Sequence, residues 1–424
     1  MNKKLAQDVR EFLIKDFSPS FGDLSYRFSD NPLWEKLREL GTELWLDTGN
    51  IRNIRELWTK DFTALTTNNT LLNHEVQQGT FDTIIQDAHR LLAPYNLSPA
   101  EETLEIAFIL NAWHALRLVE RFDAFVSVEE HTDLAHDQDR AFEYGVRYYE
   151  ICPERFIVKI PFTPAGLIAA RRLSIREIPV NLTLGFSARQ NYVATRLARP
   201  RFVNVFLGRL GSFTADNGLG SGEHVGEAAT LASQRAVRKL REMGPVTTRQ
   251  IGASFRNPKQ VVELAGIDVM TMPPAVADAY RKLAPDRGII RDRTGERYEP
   301  GVDDKALREL RFETFWEIPD GVVKAVDELE AHHEIGGVSP EALVGAFAGH
   351  GVPDLFPAWS EEQRRTSTEE GKIPGIENWK PALEDGTVGL DALMTFAGLN
   401  SFTTDQNAMD SRVNGVLNDI RTMR

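Results

Sequence analysis

Cysteine is almost missing from this sequence: Cys152 is the only one in 424 residues. A lone thiol forms neither an internal disulfide nor a multi-cysteine zinc site, and it suits a reducing cytoplasm. Long apolar runs are missing too. No stretch reaches the roughly 18 residues a membrane span needs, and the opening "MNKKLAQDVREFLIKDF" reads as a short amphipathic helix rather than a signal peptide. The expectation is a soluble, cytoplasmic chain with no membrane partner. Basic charge is in deficit, with 49 Lys and Arg against 62 Asp and Glu and a formal net charge of −13. Without a basic excess to release counterions, no nucleic-acid partner is expected. A small anion remains compatible, because two or three arginines gathered in one pocket suffice for it. The glycine fingerprint of a dinucleotide fold is also absent, since "LDTGNIRNI" has one glycine where G-x-G-x-x-G needs three.

What is present is a regular alternation. Eight short runs rich in β-branched residues are each followed by a helix candidate: "LWLDTG" (44–49), "ALTTNN" (64–69), "FVSVEE" (125–130), "FIVKIP" (156–161), "VNLTLGF" (180–186), "FVNVFLG" (202–208), "RQIGASF" (249–255) and "IDVMTM" (267–272). Such alternation is the mark of βα units and a parallel sheet. Helix starts are written into it. Ser98-Pro99-Ala100-Glu101 is a capping-box pattern opening a helix through Val119; Thr163-Pro164 and Asn257-Pro258 open two more, the second closing at Gly266. Eight such units predict an α/β fold of the (β/α)8 barrel type, although a doubly wound open sheet shares the local pattern.

Alternate strand residues point to opposite faces. One parity is apolar: Leu44 and Leu46, Val126 and Val128, Phe156, Val158 and Ile160, Val180, Leu182 and Leu184, Val203, Val205 and Leu207. The other is polar near the strand ends: Asp47, Thr66, Asn68, Ser127, Glu129, Lys159, Asn181, Thr183, Asn204, Ser254 and Arg256. In a barrel the polar set converges on one mouth, where enzymes of this fold place their chemistry.

Three segments follow from this reading: a helical lead over 1–43, the barrel with closing helices over 44–335, and a tail over 336–424 of short helical pieces with no derivable role. The charged stretch 284–304 reads as a loop, and "FETFWEIPDGVVKAVDELEAHH" (312–333) as amphipathic. "NGLGSGEHVGE" (217–227) lacks the G-K-[ST] of a phosphate loop and reads as a mobile loop between strand six and its helix. His131, Asp133, His136 and Asp137 do not have the spacing of a known metal-ligand set and read as a polar loop entering a helix.

Lys159 carries the chemistry. A lysine inside "FIVKI" is costly unless paired or neutral. To attack a carbonyl an amine must lose its proton; an ordinary lysine, with a pKa of about 10.4, is neutral in only about one molecule in a few thousand at pH 7, and burial raises that fraction. Glu129 on the preceding strand is placed to move protons as carbinolamine becomes iminium, and Asp47 to take a hydroxyl proton when a carbon–carbon bond breaks. Asn68, Asn181, Thr183 and Asn204 would hold the hydroxyls of a polyol.

These residues resemble the transaldolase family, class I Schiff-base enzymes, motif by motif from Leu44 to Met272 and more weakly to about His333. "LDTGN" is similar to the first-strand aspartate motif, "TTNNTLL" to T-T-N-P-S-L, "VSVEEHTDLAHD" to V-S-T-E-V-D, "IVKIPFTPAGLIAA" to I-K-I-P-A-T-x-x-G, "VNLTLGFS" to N-L-T-L-x-F-S, "VFLGR" to P-F-V-G-R and "IGASFRN" to M-G-A-S-F-R-N. The resemblance implies that Lys159 forms the Schiff base, with Glu129 and Asp47 as acid and base. It also implies that Thr67, Asn68, Asn181 and Thr183 hold hydroxyls and water, and that Arg209, Ser254 and Arg256 bind the sugar phosphate. The implied reaction moves a dihydroxyacetone unit between ketose and aldose phosphates, in the pentose phosphate pathway, without metal or organic cofactor. Related fructose 6-phosphate aldolases carry tyrosine at the place of Phe206 and glutamine at that of Glu129, so Phe206 and Glu129 favour the transferase.

Four positions depart from the motifs: Asn204 stands for serine, Val205 for proline, Asn69 for proline and Gly185 for leucine. Asn204 and the tail leave open a specialised aldolase or transaldolase acting on an unusual sugar phosphate. A sugar-phosphate-binding barrel without turnover is the reading from another class, and a homo-oligomer is also left open.

Overall fold

A computed structural model of the chain describes residues 2–22, 28–283, 286–332 and 334–422. Met1, residues 23–27, Ala284 and Pro285 of the charged loop, His333, and residues 423–424 lie outside the described residues. Eight parallel strands close into a barrel in sequence order: β1 (Glu43–Asp47), β2 (Phe62–Thr66), β3 (Phe125–Glu129), β4 (Phe156–Pro161), β5 (Val180–Thr183), β6 (Phe202–Phe206), β7 (Arg249–Ala253) and β8 (Val269–Met272). All eight expected runs are strands. The second begins two residues earlier than its sequence run, which moves Asn68 off the strand and onto the following helix as its cap, with Oδ1 accepting the Leu71 N–H at 2.8 Å.

Side-chain parity separates two cores. Leu44, Leu46, Val126, Val128, Val158, Ile160, Val180, Leu182, Val203 and Val205 join the shell beneath the helices. Trp45, Ala64, Ile157, Phe202, Ile251, Ala253 and Val269 fill the inside of the barrel, with Phe206 packed on them. The amino-terminal end of the barrel is closed by Glu43, which accepts the Trp45 Nε1–H and the Thr63 hydroxyl at 2.7 Å each and pairs with Arg249. Polar chemistry is thereby left to the carboxyl-terminal mouth.

The expected helix starts are observed. Ser98 and Glu101 form a reciprocal capping box for the Pro99–Phe122 helix, Thr163 caps Pro164–Ile175, and Asn257 caps Pro258–Glu263. The glycine-rich loop lies elsewhere than expected, because a helix (Leu207–Asp216) starts directly after β6 and the loop joins it to the Val225–Met243 helix. It is tied down by paired backbone bonds, Gly222 N–H to Gly301 O at 2.9 Å and Gly301 N–H to Glu223 O at 2.7 Å. A Cβ on Gly220, whose φ is +140°, would sit 2.5 Å from Gly301 O.

The tail differs most from its expectation. Its last piece is a single 33-residue helix, Leu390–Thr422, called the C-terminal helix below. Asp391 at its start holds Arg189 through two bonds of 2.8 and 2.6 Å and accepts the Ser187 hydroxyl at 2.6 Å, while Asp354 sits 3.0 Å from the same guanidinium. All three charges are essentially solvent-free. Removing one member of such a set would strand the others, a cost of about 3–5 kcal/mol. From that anchor beside β5 the helix crosses to the two helices after β2 (Asn69–Gln77 and Asp82–Leu92) and the segment after β3, where Asp405 binds Thr70, Arg412 pairs with Asp82, and Asp410 faces His131 Nε2 at 3.1 Å. Sequence patterning hid this helix because only its first ten residues are buried all round; beyond Phe402 the buried residues are sparse, at Gln406, Met409, Val413, Val416 and Leu417. Among the described residues no helix is long and apolar enough to cross a membrane.

Behind β3, Glu130 is buried, and neither carboxyl oxygen has a hydrogen-bond partner among the described residues. Burial holds its pKa well above the usual range. Folding therefore favours the protonated acid, and this contribution is complete at pH values below the unfolded pKa of about 4.3 and is lost as pH rises toward the folded value. Glu130→Gln should become progressively more stable than the parent between about pH 5 and 8. Parallel melting temperatures for the two proteins across that range would refute this.

Candidate active site

The strand register assembles the mouth. Glu129 lies directly across from Lys159, and Lys159 across from Asn181, so three polar side chains from three adjacent strands share one level. Lys159 is 4% exposed. Its Nζ donates to the Thr67 carbonyl at 3.0 Å and lies 3.5 Å from Glu129 Oε1. Glu129 Oε2 accepts the backbone N–H of Asn69 at 3.1 Å, a bond that the proline of the related motif could not donate. Asn69 is a site residue the sequence reading recorded only as a departure.

Burial raises the pKa of Glu129, opposed by the Lys159 ammonium and the Asn69 amide. Asp47 closes β1, half-buried, and accepts the Thr66 hydroxyl at 3.2 Å. Its carboxyl is likewise raised by burial, against the pull of Lys159, Thr66, Arg209 and Arg256. Two carboxyls raised by burial in the field of one amine are equipped to give and take protons.

The amides form a chain. Asn181 Nδ2 donates to Ser127 Oγ at 3.0 Å, Asn204 Nδ2 donates to Asn181 Oδ1 at 3.1 Å, and Asn204 Oδ1 accepts the Gly185 N–H at 3.3 Å. Two departures from the motif are thus one structural unit. A Cβ on Gly185 would lie 2.4 Å from Asn204 O, so the glycine permits the close approach that the asparagine exploits. Asn204 is engaged inside the barrel at 2% exposure, whereas the fully buried Thr183 hydroxyl has no partner among the described residues. Thr67 spends its hydroxyl on the Ser127 carbonyl at 3.0 Å and Asn68 its Oδ1 on the helix cap, so the Thr67 carbonyl, not its side chain, reaches the lysine.

Arg209 follows β6 on the Leu207–Asp216 helix. Its guanidinium lies 5.1 Å from the Phe206 ring centroid, and Nη1 is buried with no hydrogen-bond partner among the described residues. Burial first, then Arg256, brings its pKa down to about 10. A buried cation lowered in this way is stabilised by an incoming anion. Arg256 is exposed at the rim, and Gly208 makes room for it, since a Cβ there would lie 2.7 Å from Arg256 Cγ and 2.0 Å from Ser254 O. Ser254 takes a left-handed backbone at φ +66°, as does Leu184 at +63° after β5, and such strain at strand ends concentrates at functional sites.

The tail contributes residues that the sequence reading missed. Phe402 lies over both Lys159 Nζ (5.7 Å) and the Arg209 guanidinium (5.4 Å). Asp405 pulls on Arg209, and Lys372 is held below the usual lysine range by burial and by Arg209 and Arg256. The one available signal was the spacing of Asp391, Thr395, Gly398, Phe402 and Asp405 in alternating steps of four and three. At the polar loop after β3, His131 Nδ1 accepts the Asp133 N–H at 3.1 Å, and among the described residues no cluster of His, Cys, Asp and Glu could hold a metal ion.

The chain is 30% identical over 274 residues to a transaldolase of Gloeobacter violaceus, covering 60% of this chain and 68% of the relative. It is 32% identical over 238 residues to a probable transaldolase of Thermus thermophilus, covering 55% and 88%. A transaldolase of Trichormus variabilis aligns over 319 residues at 28% identity, covering 70% of this chain and 94% of its own. The family model described as transaldolase/fructose-6-phosphate aldolase matches residues 44–311, β1 through the segment that follows β8, and the chain therefore belongs to that enzyme family.

Proposed function

We propose that the protein is a transaldolase working through a Schiff base on Lys159, moving a dihydroxyacetone unit from sedoheptulose 7-phosphate to glyceraldehyde 3-phosphate and so yielding erythrose 4-phosphate and fructose 6-phosphate. The observation that carries this reading is the buried Lys159 amine with Glu129 3.5 Å away on the neighbouring strand. Lys159 attacks the ketose carbonyl; Glu129 protonates the carbinolamine hydroxyl so that water leaves and the iminium forms. Asp47 takes the proton of the C4 hydroxyl, two carbons from the C2 iminium carbon; the C3–C4 bond breaks, its electron pair enters the iminium to give an enamine with C3 as its carbon, and C4 departs as the aldehyde of the aldose phosphate. The enamine carbon then attacks the acceptor aldehyde, Asp47 returns its proton to the new alkoxide, and water releases the ketose product from Lys159.

Arg209 Nη1, without a partner among the described residues, would hold the phosphate together with Ser254 and the rim residue Arg256, through charge-assisted bonds of about 1.5–3 kcal/mol each. The Thr183 hydroxyl, which has no partner among the described residues, and the Ser127–Asn181–Asn204 chain would meet the sugar hydroxyls and the water, with Thr67 and Asn68 shaping the lysine's other side. Phe206 and Glu129 favour transfer over plain cleavage. The pentose phosphate pathway and the cytoplasm are the setting this reaction implies.

Borohydride reduction with fructose 6-phosphate present should leave a three-carbon adduct on the peptide containing Lys159; no adduct with any of several ketose phosphates would sink the proposal. Adding erythrose 4-phosphate should yield sedoheptulose 7-phosphate; free dihydroxyacetone alone would rule against the transferase. Arg256→Ala should raise KM for phosphorylated sugars by about tenfold or more with a smaller change in kcat. An unchanged KM would remove Arg256 from the phosphate site.

A further inference from the structure

The C-terminal helix lies outside residues 44–311 and presents one stripe to the mouth: Asp391, Thr395, Gly398, Phe402 and Asp405. Each member has a contact. Asp391 holds Arg189, Thr395 donates its hydroxyl to the Leu184 carbonyl at 2.8 Å, and Asp405 binds Thr70 after β2. Gly398 lets the helix come close, because a Cβ there would lie 3.0 Å from Arg209 Nη1 and 2.9 Å from Leu184 Cδ2. Between these anchors the Phe402 ring is set over Lys159 and Arg209, itself 4% exposed.

We infer that Phe402 determines the fate of the three-carbon unit held on Lys159, shielding the enamine from bulk water so that it passes to an aldehyde acceptor instead of being lost as dihydroxyacetone. The inference rests on the Schiff-base reading above. Once the aldose phosphate has left, the enamine has two fates. Its carbon can attack the acceptor aldehyde, forming the new carbon–carbon bond. Alternatively the same carbon takes a proton, water adds to the resulting iminium, and the carbinolamine collapses to free dihydroxyacetone and the lysine amine, with the proton returned to solvent. The losing route needs a proton donor at carbon, and an apolar ring seated over the nitrogen excludes bulk water from that place. The ring face also favours the cationic iminium and the Arg209 guanidinium, both within the roughly 6 Å over which such contacts act. Phe402 is thus a specificity-determining residue supplied from outside the part of the chain that matches the family.

The test is product partition in Phe402→Ala and Phe402→Leu with fructose 6-phosphate and erythrose 4-phosphate. Phe402→Ala should raise free dihydroxyacetone per sedoheptulose 7-phosphate formed by about tenfold or more, the effect of a barrier difference near 1.4 kcal/mol, while Phe402→Leu, which keeps an apolar cover, should stay near the parent. Both should still be trapped by borohydride at Lys159. A folded, trappable Phe402→Ala with the parental ratio overturns the inference and leaves the Schiff-base reading standing; failure of the parent protein to trap takes down both. Should Phe402→Ala not fold, the parent in D2O decides: deuterium entering the reacting carbon much more slowly than transfer is expected, and exchange as fast as turnover overturns it.

Discussion

Closing eight parallel strands into a ring pairs both edges of every strand, so each residue's direction is fixed by its place in the register. Glu129, Lys159 and Asn181 come to one level because β3, β4 and β5 pair there. A one-residue slip of β4 would turn Lys159 into the helix layer and bring Val158 or Ile160 into the mouth. The apolar shell formed by those two residues and their counterparts prevents the slip, because burying the ammonium there would be far costlier. Packing on one face of the strand thus holds the chemistry on the other.

That mouth gathers opposite charges. Lys159 and Arg209 stand against Glu129 and Asp47, and burial acts on all of the groups whose shift is evident: it raises both carboxyls and lowers the arginine. Charges in such a place persist because each screens another. Among the described residues Arg209 Nη1 has no hydrogen-bond partner, the one feature of this set that an anion would complete. The C-terminal helix is part of this arrangement. Arg189, clamped by Asp391 and Asp354, sets the position of a helix whose next contacts, at Thr395, Gly398 and Phe402, are all with the mouth.

The departures from the related motifs also have structural partners. Gly185 and Asn204 occur together because the backbone approach allowed by one is needed by the hydrogen bond of the other. Asn69 supplies an amide to Glu129 that proline lacks, adding a donor to the carboxylate that faces the lysine. Reading each substitution singly suggests altered sugar recognition; in three dimensions Gly185, Asn204 and Asn69 are each tied to another polar group of the mouth by a hydrogen bond or a close approach.

Alternation of apolar runs with capped helices was enough to give the barrel, because a period of two and a cap at each helix start are local properties. Parity placed Lys159, Glu129 and Asp47 on one side for the same reason. Loop residues past the strand ends were less legible: Asn68 and Thr67 turned out to spend side-chain atoms on the backbone, since the strand ended sooner than its composition suggested. The tail was illegible. Its long helix is polar on the side facing solvent, and its purpose depends on pairings between residues some two hundred positions apart, Arg189 with Asp391 and Arg209 with Phe402. Local pattern carries the direction of a side chain along its own strand, whereas which distant segment covers the mouth is decided only when the chain is packed.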